Sequence, residues 1–318
     1  MQRRITADET PVRVVVVTLD SHLAEAAERA RPTLQKAMPG LVMTLHAAAE
    51  WAHNPGALEQ CKADIAQGDI IIASMLFMED HIQAVLPALK ARAPHCDAIV
   101  GCLAAGEIIK LTRLGNFKMD GEQSGAMALL KRLRGSTNKK ESSSGAGQMA
   151  MLRRLPKVLR FIPGTAQDVR AYFLTLQYWL AGSEDNVVNM VRFPIDRYAS
   201  GERRVLRGSL KAALPVEYPD TGVYHPHMPQ RISDKPSDLP ASGGPNGTAG
   251  VMLMRSSLLA KNTPHYDGVI AALEARGLKT IPAFACGLDA RPAIEAFFKD
   301  AKGNATVDAV VSLTGFSL

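Results

Sequence analysis

Three histidines are the first candidates for chemistry in this sequence. His225 and His227 are one residue apart in a proline-rich segment, and His265 stands at a predicted helix start. Imidazole titrates near neutral pH, so either of the paired rings could accept a proton. Two histidines alone do not make a metal site, and the alternative is a turn in which both rings satisfy local backbone groups. At a helix start, His265 could bind an anion or serve as a structural cap.

Charged or titratable side chains that follow predicted strands form a second set. Arg255 comes just after a strand at Val251, and its planar guanidinium suits bidentate contact with a carboxylate. Glu107 follows the fourth predicted strand and His22 the first, at the carboxyl ends where open α/β sheets bind ligands. The structural alternatives are a surface ion pair for Arg255 and helix capping after the first strand.

The elements that would position these residues follow an α/β pattern. The run from Val12 to Leu19 is almost entirely β-branched, which is typical of a strand buried on both faces. Later elements are strands beginning near Leu41 and spanning 69–74 and 97–102, and helices spanning 55–67, 79–93 and 104–114. This alternation predicts a Rossmann-like or flavodoxin-like parallel sheet within an N-terminal α/β domain at 1–135.

Composition divides the rest of the chain. Residues 136–148 contain almost nothing apolar and predict a flexible loop, and 149–214 are predicted as a helical segment in which 167–180 and 184–198 form a pair of helices. The seven prolines of 215–248 indicate a connector. A second βαβ pattern occupies 249–318 and is expected to be an incomplete α/β domain, because parallel sheets are normally covered on both faces. We therefore expect a fragment of a longer polypeptide.

Charge and hydropathy exclude several classes of protein. The formal net charge is +6, but the basic cluster between Lys131 and Arg160 contains no interleaved aromatic residues, so no nucleic-acid partner is predicted. The longest apolar stretch, Ile70 to Met78, is far shorter than the ~20 residues of a membrane span. Charges in the first eleven residues argue against a secretory signal, and a cytoplasmic location is predicted.

Familiar catalytic signatures are absent from the sequence. There is no G-x-x-x-x-G-K-[ST], so any ATP would be handled by another polypeptide or segment. There is also no G-x-G-x-x-G after the first strand, no H-E-x-x-H and no G-x-S-x-G. Dehydrogenase, zinc protease and α/β-hydrolase functions are therefore disfavoured.

An ordered series of short strings remains distinctive. The strings are Phe161-Ile-Pro-Gly164, Gln167-Asp-Val-Arg-Ala-Tyr172, Tyr178-Trp-Leu-Ala-Gly182, Pro219-Asp-Thr-Gly-Val-Tyr-His-Pro226, Asn262-Thr-Pro-His-Tyr-Asp267, Ala272-Leu-Glu-Ala-Arg-Gly277, Gly287-Leu-Asp289 and Val310-Val-Ser-Leu-Thr-Gly-Phe316. Together they resemble the large-subunit family of magnesium chelatase and cobaltochelatase, from about Val12 to Leu318. With Lys110-Leu-Thr-Arg-Leu-Gly115, the N-terminal domain is more similar to the magnesium branch.

The resemblance implies ATP-dependent insertion of Mg²⁺ into protoporphyrin IX, on the way to chlorophyll or bacteriochlorophyll. The large subunit would bind the porphyrin, two partner subunits of the AAA+ type would hydrolyse ATP, and Mg²⁺ would be the substrate ion. His225 or His227 would then act as a base toward a pyrrole proton or contact a propionate, His265 is a further candidate catalytic residue, and Arg255, Glu107 and His22 are candidate substrate contacts. Most catalytic residues are expected beyond Leu318, so the fragment alone would be inactive.

Two alternatives stay open. One is the cobaltochelatase large subunit, which acts on a corrin precursor. The other is a non-catalytic docking head for partner subunits, with the chemistry located downstream.

Overall fold

A computed structural model describes residues 10–19, 21–120, 145–241, 244–287 and 289–314. These residues form two compact units, one comprising 10–120 with 151–216 and the other 145–150 with 217–314. Each unit is built around one β-sheet. The predicted α/β class is confirmed.

The first sheet has the strand order β2-β1-β3-β4-β5-β6. Its strands are β1 (Val12–Thr18), β2 (Leu41–Ala47), β3 (Ile70–Ser74), β4 (Ala98–Cys102), β5 (Arg113–Leu114) and β6 (Phe117–Lys118). Strands β1 to β4 run parallel, as predicted, whereas β5 and β6 form an antiparallel hairpin at the β4 edge. The sheet is therefore mixed.

Helices cover the parallel strands because β1, β3 and β4 are apolar and buried over almost their whole length. The helices between the strands are α1 (Ala24–Ala37), α2 (Pro55–Gln67) and α3 (Glu79–Arg92), and a 3₁₀ turn spans Ala48–Glu50. Val15 and Val17 of β1 pack into a core with residues of α2 and α3, and every residue of β3 and β4 is buried. The predicted strands and helices up to Cys102 are thus present, with ends shifted by at most a few residues.

The helix predicted at 104–114 is wrong over most of its length. Only α4 (Gly106–Ile109) is helical, and the chain then turns back into β5. The Thr112 hydroxyl accepts the Gly101 N–H at 3.0 Å and donates to the Gly101 carbonyl at 3.2 Å, which holds the returning chain against β4. This side-chain hydrogen bond competes with helix continuation, as threonine often does.

Three further helices belong wholly or in part to the first unit. They are α5 (Gly145–Leu159), α6 (Thr165–Leu180) and α7 (Glu184–Tyr198), followed by a 3₁₀ turn at Gly201–Leu206. The loop predicted at 136–148 lies outside the described residues as far as 144, and the described chain resumes in α5. The predicted pair of helices is present as α6 and α7. None of the described helices is long and apolar enough to cross a membrane.

The second sheet has the order β11-β9-β10-β7-β8. Its strands are β7 (Thr221–Tyr224), β8 (Ile232–Ser233), β9 (Thr248–Met254), β10 (Lys279–Ala285) and β11 (Ala309–Ser312). Its helices are α8 (Arg255–Leu259), α9 (Pro264–Glu274) and α10 (Arg291–Phe297), with a 3₁₀ turn at Pro236–Asp238. Strands β9, β10 and β11 are parallel, while β7 and β8, from the segment predicted as a connector, add antiparallel pairs.

An ion-pair network lies at the amino ends of the parallel strands of the first sheet, which we call the amino edge. The guanidinium of Arg203 contacts both Asp97 carboxylate oxygens, at 2.8 and 3.1 Å, and lies 3.2 Å from Asp69. The Asp97 side chain is only 2% exposed. Burial raises the pKa of Asp97, but hydrogen bonds from Arg203 and Ser200 outweigh burial and leave that pKa below its usual value.

We expect Arg203→Ala to lower the free energy of unfolding of the first unit by about 2 kcal/mol, because it leaves the desolvated Asp97 carboxylate without its cation and leaves Asp69 with only Arg92, at 3.6 Å. This loss of stability is smaller than that expected for a fully buried ion pair, because the Arg203 side chain is 24% exposed and water screens its charge. Urea unfolding followed by tryptophan fluorescence measures this unit, since both tryptophans, Trp51 and Trp179, lie in it. Arg204→Ala, an exposed neighbour, is the matched control, and equal unfolding midpoints for the two variants would contradict the prediction.

Candidate functional site

Two of the residues predicted to contact a ligand lie at the carboxyl ends of the parallel strands of the first sheet, which we call the carboxyl edge. His22 follows β1, is partly buried, and packs edge-to-face on Trp179 with ring centroids 5.8 Å apart. Glu107 lies exposed in the first turn of α4, after β4. Strand β3 lies between β1 and β4, so the two side chains flank the loop that follows β3.

The loops after β3 and β4 adopt an unusual backbone at this edge. Met75 and Leu103 have φ values of 58° and 46°, in the left-handed region that non-glycine residues seldom occupy. The Met75 N–H donates to the Leu103 carbonyl at 2.8 Å, and the Ala105 N–H donates to the Leu76 carbonyl at 2.9 Å. Such conformations cost about 1–3 kcal/mol each and persist only where surrounding contacts hold them.

These paired loops present an apolar surface that the sequence analysis did not identify. Phe77, Met78 and Leu103 are 59%, 56% and 37% exposed, and we call these three residues the edge platform. Exposed carboxylates border it at Glu79 and Asp80, in the first turn of α3, and at Glu107. The signal available in the sequence was the apolar run from Ile70 to Met78, which continues past the end of β3.

The cysteine at this edge is not an activated nucleophile. Cys102, at the end of β4, is fully buried, and its thiol donates a weak hydrogen bond to the Ser74 hydroxyl at 3.6 Å. Burial raises the pKa of Cys102 to about 11, so the group stays protonated at neutral pH. Cys102 therefore does not offer a thiolate for covalent catalysis at this edge.

In the second unit, the histidine turn is held by hydrogen bonds. His225 is 2% exposed, its Nδ1 accepts the His227 N–H at 3.2 Å, and its Nε2 lies 3.1 Å from Glu274 Oε1. Thr280 donates to the same carboxylate oxygen at 2.7 Å. Both ring nitrogens of His225 are thus occupied, whereas His227 is exposed with its ring centroid 5.2 Å away.

Arg255 is also engaged within the second unit. The residue is 6% exposed, its Nε donates to the Pro219 carbonyl at 2.8 Å, and its Nη2 donates to the Tyr218 carbonyl at 3.1 Å. It follows the carboxyl end of β9, whereas His225 follows β7, which is antiparallel to β10. The structure therefore places Arg255 and the histidine turn at opposite edges of the sheet.

His265 lies exposed in the first turn of α9, with its ring centroid 3.9 Å from that of Tyr266. Nearby, the Tyr224 hydroxyl donates to Asp267 at 2.5 Å, and burial raises the pKa of Tyr224 to about 12, so the phenol remains a donor. Over the described part of the chain, no three His, Cys, Asp or Glu side chains converge so as to hold a metal ion.

Two family models match the chain. The model described as "Domain of unknown function (DUF3479)" matches residues 13–173, about half of the chain. The model described as "CobN/Magnesium Chelatase" matches residues 176–318.

Relatives and a solved structure extend the comparison. The H-type subunit of magnesium chelatase from Cereibacter sphaeroides is 52% identical over 305 residues, covering 96% of this chain and 25% of the relative. The corresponding protein of Rhodobacter capsulatus is 48% identical over 309 residues, with the same coverage of 96% and 25%. The catalytic subunit of cobaltochelatase from Mycobacterium tuberculosis matches 95% of this chain and 18% of its own at 14% identity, with a TM-score of 0.39, too weak a likeness to bear on function.

The chain thus spans about a quarter of the length of the curated relatives that it matches. The two family models adjoin, and the alignments to the relatives run through nearly the whole chain. The chain belongs to the family of magnesium chelatase and cobaltochelatase large subunits.

Proposed function

We propose that this chain is part of the porphyrin-binding subunit of a magnesium chelatase, which inserts Mg²⁺ into protoporphyrin IX in chlorophyll or bacteriochlorophyll synthesis. The observation that carries the proposal is 52% identity to the H-type subunit of a magnesium chelatase over 96% of the chain. Identity at this level extends through both compact units, so it does not rest on one shared motif.

The proposed reaction divides the work between subunits. Mg²⁺ is the substrate ion; it gives up its water reluctantly, and two pyrrole protons must leave the macrocycle before the metal is bound. Two AAA+ partners would hydrolyse the ATP, which agrees with the absence of a P-loop motif from this sequence. The cytoplasmic location stays a prediction.

The proposed site residues differ in how exposed their side chains are to a substrate. His227 and His265 are exposed and free to meet a substrate, so we propose them as the proton acceptors, while His225 orients the turn that carries His227. Glu107 and His22 remain proposed substrate contacts at the carboxyl edge of the first sheet. Arg255 remains a proposed contact as well, although at least two of its N–H groups are bound to backbone carbonyls.

A cobaltochelatase large subunit is the second candidate, because the family model that matches residues 176–318 covers both enzymes. The names of the two bacterial relatives favour magnesium. Competition between metals and between substrates separates the two: cobalt insertion into a corrin, with no activity on protoporphyrin IX, would reverse the choice.

The function is tested with the full-length subunit that contains this chain. We expect it to support the formation of magnesium protoporphyrin IX, followed by its fluorescence, when Mg²⁺, ATP, protoporphyrin IX and both partner subunits are present. Omission of ATP or of either partner is the control. A folded full-length subunit that neither binds protoporphyrin IX nor supports insertion would contradict the proposal.

The exposed histidines are tested by fluorescence titration of the chain with a soluble porphyrin. We expect saturable quenching, with an affinity at least about tenfold lower in the His227→Ala/His265→Ala double variant, which corresponds to about 1.4 kcal/mol. His53→Ala is the control, since His53 is exposed in the first unit. If the double variant binds like the control, these histidines do not contact the porphyrin.

His225 has a different expected effect. We expect His225→Ala to destabilise the second unit by about 2 kcal/mol, because it removes a buried hydrogen-bond partner of Glu274 and frees the His227 N–H. Hydrogen–deuterium exchange of the β7 and β10 amides should become faster in His225→Ala and stay unchanged in His227→Ala. Equal exchange in the two variants would show that the hydrogen bonds of the His225 ring do not hold the turn.

A further inference from the structure

We propose that the edge platform of the first unit (Phe77, Met78 and Leu103) binds a protein partner through a segment that combines basic and apolar side chains. The inference is independent of the chelatase assignment. It rests on the exposure, backbone strain and charge found together at this edge.

The platform is assembled by tertiary structure and is held in place before any partner arrives. Phe77 and Met78 follow β3 and Leu103 follows β4, and the two reciprocal backbone hydrogen bonds between these loops bring them together. Left-handed backbone at Met75 and Leu103 is maintained although neither residue is glycine. Strain of this kind concentrates at sites where a fixed geometry serves binding.

No residue that the structure describes buries the apolar side chains of the platform. Phe77 and Met78 are each more than half exposed, at 59% and 56%, at the edge where open α/β sheets bind their ligands. Phenylalanine and methionine are enriched at protein interfaces relative to other surfaces. An exposed aromatic side chain on a rigid loop loses little conformational entropy when it is buried, which makes it an effective anchor.

The charged side chains around the platform determine which kind of partner segment it would bind. The side chains of Asp80 and Glu107 are exposed and make no hydrogen bond or ion pair with any residue that the structure describes, while the Glu79 carboxylate accepts one hydrogen bond, from Gln83 at 2.7 Å. The positive end of the α3 dipole favours acidic residues at Glu79 and Asp80, but it does not account for the adjoining exposed apolar residues. A partner with lysine or arginine beside apolar side chains complements both features.

The same charges disfavour other occupants. Anionic membrane surfaces and nucleic acids would be repelled by the three carboxylates, and both are usually bound by lysine and arginine instead. A second copy of this chain is the competing protein occupant, because Arg154 and Lys157 are exposed near the exposed Phe161.

The test uses a fluorescently labelled synthetic helix of lysine and leucine as the probe, with fluorescence anisotropy as the readout. We expect saturable binding to the chain that weakens at least about tenfold in Phe77→Ala/Met78→Ala, as for a hot-spot anchor. Glu79→Gln/Asp80→Asn/Glu107→Gln should reduce the dependence of binding on salt. A helix with glutamate in place of lysine should not bind.

Matched controls distinguish binding at the edge platform from nonspecific binding to other exposed apolar or acidic side chains. Phe161→Ala removes a phenylalanine that is 83% exposed in the same unit, and Glu202→Gln removes an exposed carboxylate beside the Arg203 network at the amino edge. Both controls should bind the probe like the unaltered chain, and all variants should keep the same thermal midpoint.

Four results would overturn the proposal. They are equal loss of binding in Phe77→Ala/Met78→Ala and Phe161→Ala, binding of the glutamate helix as tight as that of the lysine helix, Phe77-dependent sedimentation with phosphatidylglycerol vesicles, and Phe77-dependent self-association of the chain in light scattering. Because none of these readouts involves porphyrin or magnesium, failure here leaves the proposed chelatase function untouched.

Discussion

Strands β1 and β3 lie in the middle of the four parallel strands of the first sheet, and their apolar side chains must be covered on both faces. Helices α2 and α3 pack against one face, and α1 packs with α7 within the same unit. Once the faces are covered, polar chemistry and partner contact are left to the two edges of the sheet. The arrangement of this unit follows from that division.

The carboxylates at the two edges of the first sheet differ in whether they are paired with a cation. The amino edge is closed by the Arg203 guanidinium, which pairs with Asp69 and Asp97 where water is largely excluded, and by Arg92, which lies 3.6 Å from Asp69. The carboxyl edge remains open, with Asp80 and Glu107 unpaired among the described residues beside the edge platform. Paired charges thus stabilise one edge, and unpaired charges leave the other able to attract a partner of opposite sign.

In the second unit, two residues chosen from the sequence for chemistry anchor one antiparallel strand. Arg255 binds the carbonyls of Tyr218 and Pro219, just before β7, and His225 joins Glu274 just after β7. Strand β7 is therefore fixed at one end to α8 and at the other end to α9. Buried polar groups need such partners, because a donor or acceptor without one costs about 1–3 kcal/mol.

The sequence by itself determined the α/β class, the parallel core of the first sheet, the pair of helices α6 and α7, and the family, because apolar periodicity and ordered motifs are local properties of the chain. It did not indicate the β5–β6 hairpin, because the Thr112 hydroxyl bonds to Gly101, a residue that periodicity cannot pair with it. Only the tertiary structure brought Phe77 and Met78 beside Leu103, and only it separated exposed His227 from buried His225. Burial and partner geometry depend on contacts between residues distant in sequence, so tertiary structure decided which candidate side chains can meet a ligand.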